Sequence, residues 1–290
     1  MAFLMINFKP FIEKNLYELF YVGFILFCIL PFSQNSFAQN GTLGGQYGSN
    51  KIIIPYPHLH ESEVMWSKQI WRVIDLREKF NADFSLPSEP TSKSKSLMQA
   101  IWDAVTVEQS ITPFEDEKDG ELKTVIPVDV LLRRFNYFDT IQEDGTENAS
   151  LAKKIVPHLF NPKEVKQFRV KEEWYFDKQQ ALIDVRIIAI CPMLFTVKNN
   201  EPIVIPMFWF YFPEARTPLK KVDVYKAITD TTKMNYETVF LKRKFESFVY
   251  KQSNVYNKRI SRHLAGADGL LESETIKQEM RNAEEDWWEY

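Results

Sequence analysis

Hydrophobic and polar positions follow two different periods along this chain. From Glu61 to Phe80, "ESEVMWSKQIWRVIDLREKF" puts Trp66, Ile70, Val73, Ile74, Leu76 and Phe80 on one broad face at helical spacing. Val64 and Trp71 fall on the opposite side, and the stretch predicts an amphipathic helix. A Ser/Pro/Lys loop over 85–96 leads to a short helix near Leu97–Glu108, and "IPVDVLLRRF" starts another at Pro127. Polar residues dominate "DTIQEDGTENAS". The period then changes to two. "FRVKEEWYF" (168–176) alternates, "DKQQ" turns, and "ALIDVRIIAI" (181–190), "MLFTV" and "PIVIPMFWFYF" (202–212) follow as strand-like runs. Four such runs in sequence predict a β-meander, the second and fourth more buried, with Pro206 at an edge or bulge. Beyond the break "FPEARTP" the pattern is helical again, roughly over 219–229, 235–259 and 272–286. The fold class is α+β: a small antiparallel β-meander flanked by helices, with a helical C-terminal third.

The N-terminus changes this picture. Residues 19–32, "LFYVGFILFCILPF", are uncharged and apolar for fourteen positions, short of the ~20 that a membrane span needs. Lys9 and Lys14 precede the run, and Ser36 and Ala38 occupy the −3 and −1 places of a signal-peptidase site. The reading is a secretory signal peptide over 1–38, cleaved between Ala38 and Gln39. An uncleaved anchor is the alternative, since Glu13 and Glu18 sit in a long leading region. Cys28 does not make a lipobox, because bulky Phe27 precedes it. Cleavage leaves 252 of the 290 residues and Cys191 as the sole cysteine, so no internal disulfide is expected. Residues 39–51 hold four of the nine glycines and read as a flexible arm. An α+β domain over 52–262 and an acidic C-terminal helix or tail over 263–290 complete the organisation. A net charge of −3, together with export, argues against a nucleic-acid binder.

Catalytic signatures are missing. There is no G-x-S-x-G, P-loop or G-x-G-x-x-G. His58 and His60 in "PHLHE", with Glu61 beside them, could share a strand face and hold a metal, but no third ligand is signalled. His158 and His263 are isolated. Cys191, before Pro192, reads as a buried inert thiol. The acids of "FEDEKDGE" (114–121) read as a solvated loop, with calcium binding as the alternative. No cofactor and no metal is expected.

Charge and aromatics concentrate near the C-terminus. With 235–259 taken as one helix, Leu241, Phe245, Phe248, Val249, Val255 and Tyr256 form a core face. Lys244, Lys251 and Lys258 recur every seven residues as a basic ridge, and Tyr236, Phe240, Arg243 and Tyr250 lie beside it. A plain solvated lysine face would look the same. Residues 233–262 carry a net +6 and 267–290 a net −6, the latter ending "EEDWWEY" with Trp287, Trp288 and Tyr290. Aromatic anchors with charged rims are typical of protein interfaces, so the acidic tail is expected to dock on the basic ridge, in its own subunit or a neighbour's. Trp71 is a second interface candidate, or equally a core tryptophan beneath a loop.

Four stretches together resemble the GldN/PorN family: "VMWSKQIWRVIDLREKFN" (64–81), "VKEEWYFDKQQALIDVRIIAICP" (170–192), "FWFYFPEARTP" (208–218) and "MNYETVFLKRKFESFVYKQSNVYNKRI" (234–260). The glycine-rich arm and the tail lie outside the resemblance. It implies a non-enzymatic subunit of the periplasmic ring of the type IX secretion and gliding machinery. The implied partners are a GldK/PorK-like outer-membrane lipoprotein, further copies of the chain, and a GldM/PorM-like motor domain. The implied location is the periplasm, tied to the outer membrane through the lipoprotein, with no span after signal cleavage. The competing readings are an exported hydrolase or metal enzyme using His58 and His60, and a monomeric periplasmic adaptor.

Overall fold

The computed structural model describes residues 53–288, except 88, 92–93, 143–152, 199–200, 225–233, 254–258 and 261–265. The signal peptide with its Ala38–Gln39 junction, the glycine-rich arm and Lys258 lie outside the described residues.

The α+β class holds, built on a larger sheet than the meander alone. Seven strands form it: β1 (Val64–Asp75), β2 (Pro113–Phe114), β5 (Val165–Asp177), β6 (Leu182–Lys198), β7 (Glu201–Pro206), β8 (Trp209–Tyr211) and β9 (Phe248–Gln252). Their order is β2-β8-β6-β5-β1-β9, with β7 also on β6, and the pairings are antiparallel. A separate hairpin joins β3 (Tyr137–Gln142) to β4 (Lys153–His158). The helices are α1 (Leu97–Thr106), α2 (Val128–Phe135), α3 (Phe212–Lys221), α4 (Tyr236–Leu241) and α5 (Ala267–Trp288).

The predicted meander is present as β5, β6, β7 and β8. The second and third runs fuse into the single 17-residue strand β6, which passes through Pro192. Pro206 ends β7, which pairs only with β6, as an edge position requires.

Three predicted helices are corrected. The stretch 61–80 is strand β1, flanked by 3-10 turns at Glu61–Glu63 and Lys79–Ser85. From Ile70 onward β1 has β5 on one side and β9 on the other, and both its faces are covered. A strand buried on both faces shows no alternation, and its hydrophobic positions then imitate helical spacing. Its Val, Ile and Trp content was the contrary signal. The region 235–259 is likewise not one helix. It divides into α4, a reversal at Arg243 with φ +52, and β9. Third, the supposed break "FPEARTP" is helix α3, beginning at Phe212 rather than near 219. Pro213 occupies the first turn, where its missing N–H costs nothing.

One face of the sheet carries the main core. Ile74, Phe168, Val170, Ile187, Ile190, Phe208 and Phe210 pack there under α1, α3 and α4, around Phe212, Tyr236 and Phe240. At the β1–β9 end the covering element is α5, through Ile276 and Met280 on Ile70, Val249 and Ile260. Buried Ser273 accepts a hydrogen bond from the Val249 N–H at 2.8 Å, occupying a donor of the edge strand.

Candidate functional site

The opposite face of the sheet holds Trp71, Ala189, Cys191, Met193 and Trp209, and a loop covers them instead of a helix. That loop follows β2. Gly120 lets it approach closely: its φ is +88, and a Cβ there would lie 3.0 Å from the Trp209 ring. Trp209 Nε1 donates to Asp116 Oδ1 at 2.6 Å, and Trp71 Nε1 donates to the Asp119 carbonyl at 2.7 Å.

Asp119 is the centre of this arrangement. Its carboxylate accepts from Lys251 Nζ at 2.9 Å and from Arg259, with Arg169 at 3.9 Å. Lys171 donates to the neighbouring Gly120 carbonyl at 3.1 Å. Lys251 and Lys171 stand over the Trp71 ring at 4.3 and 5.4 Å, and Arg169 and Arg259 over the Tyr250 ring at 5.2 and 5.9 Å. Burial alone would raise the Asp119 carboxyl, but the hydrogen bonds from Lys251 and Arg259 outweigh it and hold it below the ordinary carboxylate value. Burial lowers Lys171. Burial, reinforced by the Asp119 charge, raises the Tyr250 phenol. Cys191 is pushed up by burial too, so its thiol stays protonated and unreactive.

Besides Asp75, which pairs with Arg77, two further carboxylates are buried and paired. Glu172, with no exposed surface, accepts from Arg72 at 3.0 Å, Arg243 at 2.8 Å and Trp174 Nε1 at 3.1 Å. Glu237 takes two hydrogen bonds from Arg216, at 3.1 and 2.9 Å. Asp119, Glu172 and Glu237 are internal struts between elements distant in sequence.

The candidate interface residues are thereby redistributed. No basic helical ridge forms, because the chain reverses between Lys244 and Lys251. Lys251 is 1% exposed and Trp71 is buried, both around Asp119 with half-buried Tyr250. Arg243 serves Glu172, and Phe240 is in the main core. Lys244 is exposed on the rim of a groove of about 700 Å³ floored by Phe84, Val224 and Val239. Trp287 and Trp288 lie at the end of α5, and their side chains are outside the described residues. The acidic loop 114–121 is corrected from a solvated surface: Asp119 is buried, and Asp116 holds Trp209. The rings of His58 and His60 lie 4.7 Å apart, tilted by 57°, and among the described residues no three His, Cys, Asp or Glu side chains gather to hold a metal. Sequence reasoning missed Asp119, Glu172 and Glu237. A signal for Glu172 was present: in an alternating strand "KEEWY", one of two adjacent glutamates must face inward.

Among the described residues, no helix is long and apolar enough to cross a membrane. A family model, described as "Gliding motility associated protein GldN", matches residues 59–289. The match runs through α5, so the tail, which the sequence resemblance left aside, falls within the family pattern as well. No curated protein matches the chain.

Proposed function

The chain belongs to the GldN family, and from that premise we propose that it is a structural subunit of a periplasmic ring, held to the outer membrane by a GldK/PorK-like lipoprotein. Membership itself makes it a periplasmic component of the gliding-motility and type IX secretion apparatus, from a family that is not a known enzyme family. In the proposed reading its partners are that lipoprotein, further copies of itself, and the periplasmic part of a GldM/PorM-like motor. It carries out no reaction.

The family match over 59–289 is the observation that carries this reading. The disposition of the buried acids supports it, since Asp119, Glu172 and Glu237 are each consumed as counterions to Lys or Arg. Groups tied up in this way brace a scaffold and are poorly placed to move protons. The acidic, aromatic end of α5 remains the proposed contact to a neighbouring subunit, and among the described residues Lys244 is the ridge lysine that stays exposed to meet one.

Affinity capture tests the proposal. The tagged chain, purified from envelopes that make the cognate lipoprotein, should retain that lipoprotein in a fixed ratio through extensive washing. Recovery of the chain alone would overturn it.

A further inference from the structure

Strand β6 keeps β5 along one side from Leu182 to Leu194. Its other side is divided: Met193–Lys198 pair with β7, while Ala189 and Ile190 pair with β8. Among the described residues no strand pairs with 182–188 on that side. The sequence there is "LIDVRII", strongly β-prone, with Leu182 and Asp184 exposed. An open edge of seven residues is a template for another strand. Arg186 stands in its middle. It donates from Nη2 to the Pro57 carbonyl at 2.8 Å, while its buried Nε has no hydrogen-bond partner. A buried guanidinium N–H of this kind wants one more oxygen.

A segment of matching character lies in the same chain. Ile53–His60 runs without joining the sheet. Ile54, inside the run "KIIIPYP", is 77% exposed. Pro55 and Pro57 are two residues apart, so their missing N–H groups fall on the same edge of an extended chain. The other edge keeps the N–H groups of Ile54 and Tyr56. Such a segment can add to one strand and offers its blunted side to the next. In its own subunit its course is set at three places, the first being the hydrogen bond from Arg186 to the Pro57 carbonyl. Glu63 O accepts from Lys178 N at 2.9 Å, and the Tyr56 ring lies between Arg186 and Arg216, at 5.4 and 5.1 Å. That course leaves Ile54 in solvent and the β6 edge unpaired. Edge strand β7 is a poorer receiver, because Pro202 and Pro206 remove two of its six N–H groups.

We infer that the 182–188 edge of β6 receives the isoleucine-rich segment around Ile54 from a second copy of this chain, as an added strand. The inference rests on the ring reading and deepens it. Passing this segment from each copy to the β6 edge of the next makes a head-to-tail contact, which repeats around a closed ring.

Disulfide trapping in the full chain tests this. Ile54→Cys is combined in turn with Leu182→Cys, Asp184→Cys and Val185→Cys, positions chosen to scan register at sites that are exposed or half-buried. Oxidation followed by non-reducing electrophoresis should give a ladder of dimers and higher multiples for at least one pair. None of the four single variants should pass beyond a dimer. A cross-link found only within the monomer would show that the chain's own segment fills the edge, and would overturn the inference. The mass of the unmodified chain with its lipoprotein is measured alongside. Assembly without any ladder sinks the strand exchange and leaves the ring standing, whereas a monomer sinks both.

Discussion

Lys251 Nζ and the carboxylate of Asp119, 132 residues apart in sequence, meet at 2.9 Å beneath the loop that seals one face of the sheet. The lysine is 1% exposed. Two charges so placed depend on each other, because either one alone would be left in an apolar setting. Replacing Asp119 by Ala strands Lys251 and is expected to cost about 3–5 kcal/mol, the usual penalty for breaking a buried pair from one side. Lys251→Met combined with Asp119→Asn should recover much of that loss. Urea midpoints of the single and double variants measure both effects, and additive losses would contradict the coupling.

Acid should release the same contacts. Asp75, hydrogen-bonded by Arg77 and Gln167, is held at about 2, and Asp119 also lies below its ordinary value. A carboxyl lowered on folding contributes stability above its unfolded value of ~3.9, and loses that contribution as pH falls through its folded value. Stability is therefore expected to be insensitive to these two groups above about pH 5 and to fall between roughly pH 4 and 2. Asp75→Asn should flatten part of that slope. Thermal midpoints across pH 2–7 check it, and an unchanged slope in the variant would assign the effect elsewhere.

Gly120 carries the loop past Trp209. An alanine there meets both a positive φ and a ring 3.0 Å from its Cβ. The expected cost is about 1–3 kcal/mol, the range for an overpacked site. Displacement of Trp209 should also appear in its fluorescence, since its N–H would leave Asp116.

Two truncations separate folding from assembly. Removing 272–290 takes away Ser273, Ile276 and Met280, which are buried against β1 and β9. That deletion should destabilise the fold, since truncating each such apolar side chain to alanine alone costs about 2–5 kcal/mol. Removing 283–290 spares these three residues and deletes Trp287 and Trp288. The shorter deletion is expected to keep a cooperative thermal transition while weakening self-association, read as the mass distribution at fixed concentration.

Much of the fold was legible along the chain, and the failures share a physical cause. Hairpin β5–β6 was readable because "FRVKEEWYF" alternates and "DKQQ" turns. Strand β1 was not, because coverage on both faces erases alternation and leaves Trp66, Ile70 and Ile74 at spacings a helix also satisfies. The lysine repeat 244–251–258 suggested one helix, yet the chain reverses at Arg243, whose partner Glu172 is 71 residues away and is reported by no local pattern. Asp119 looked like any acid in a polar loop. Its role comes from cations supplied by β5, β9 and the segment after β9. Cys191 was readable, since a thiol inside an apolar strand run is ordinarily buried.

The central claim is that this chain functions as one of many identical units assembled with a lipoprotein. Sedimentation or light scattering of the co-purified pair in mild detergent measures it directly. A single discrete species many times the mass of one pair is the predicted result. A persistent one-to-one pair, or a free monomer, at concentrations reaching those of the envelope would contradict it.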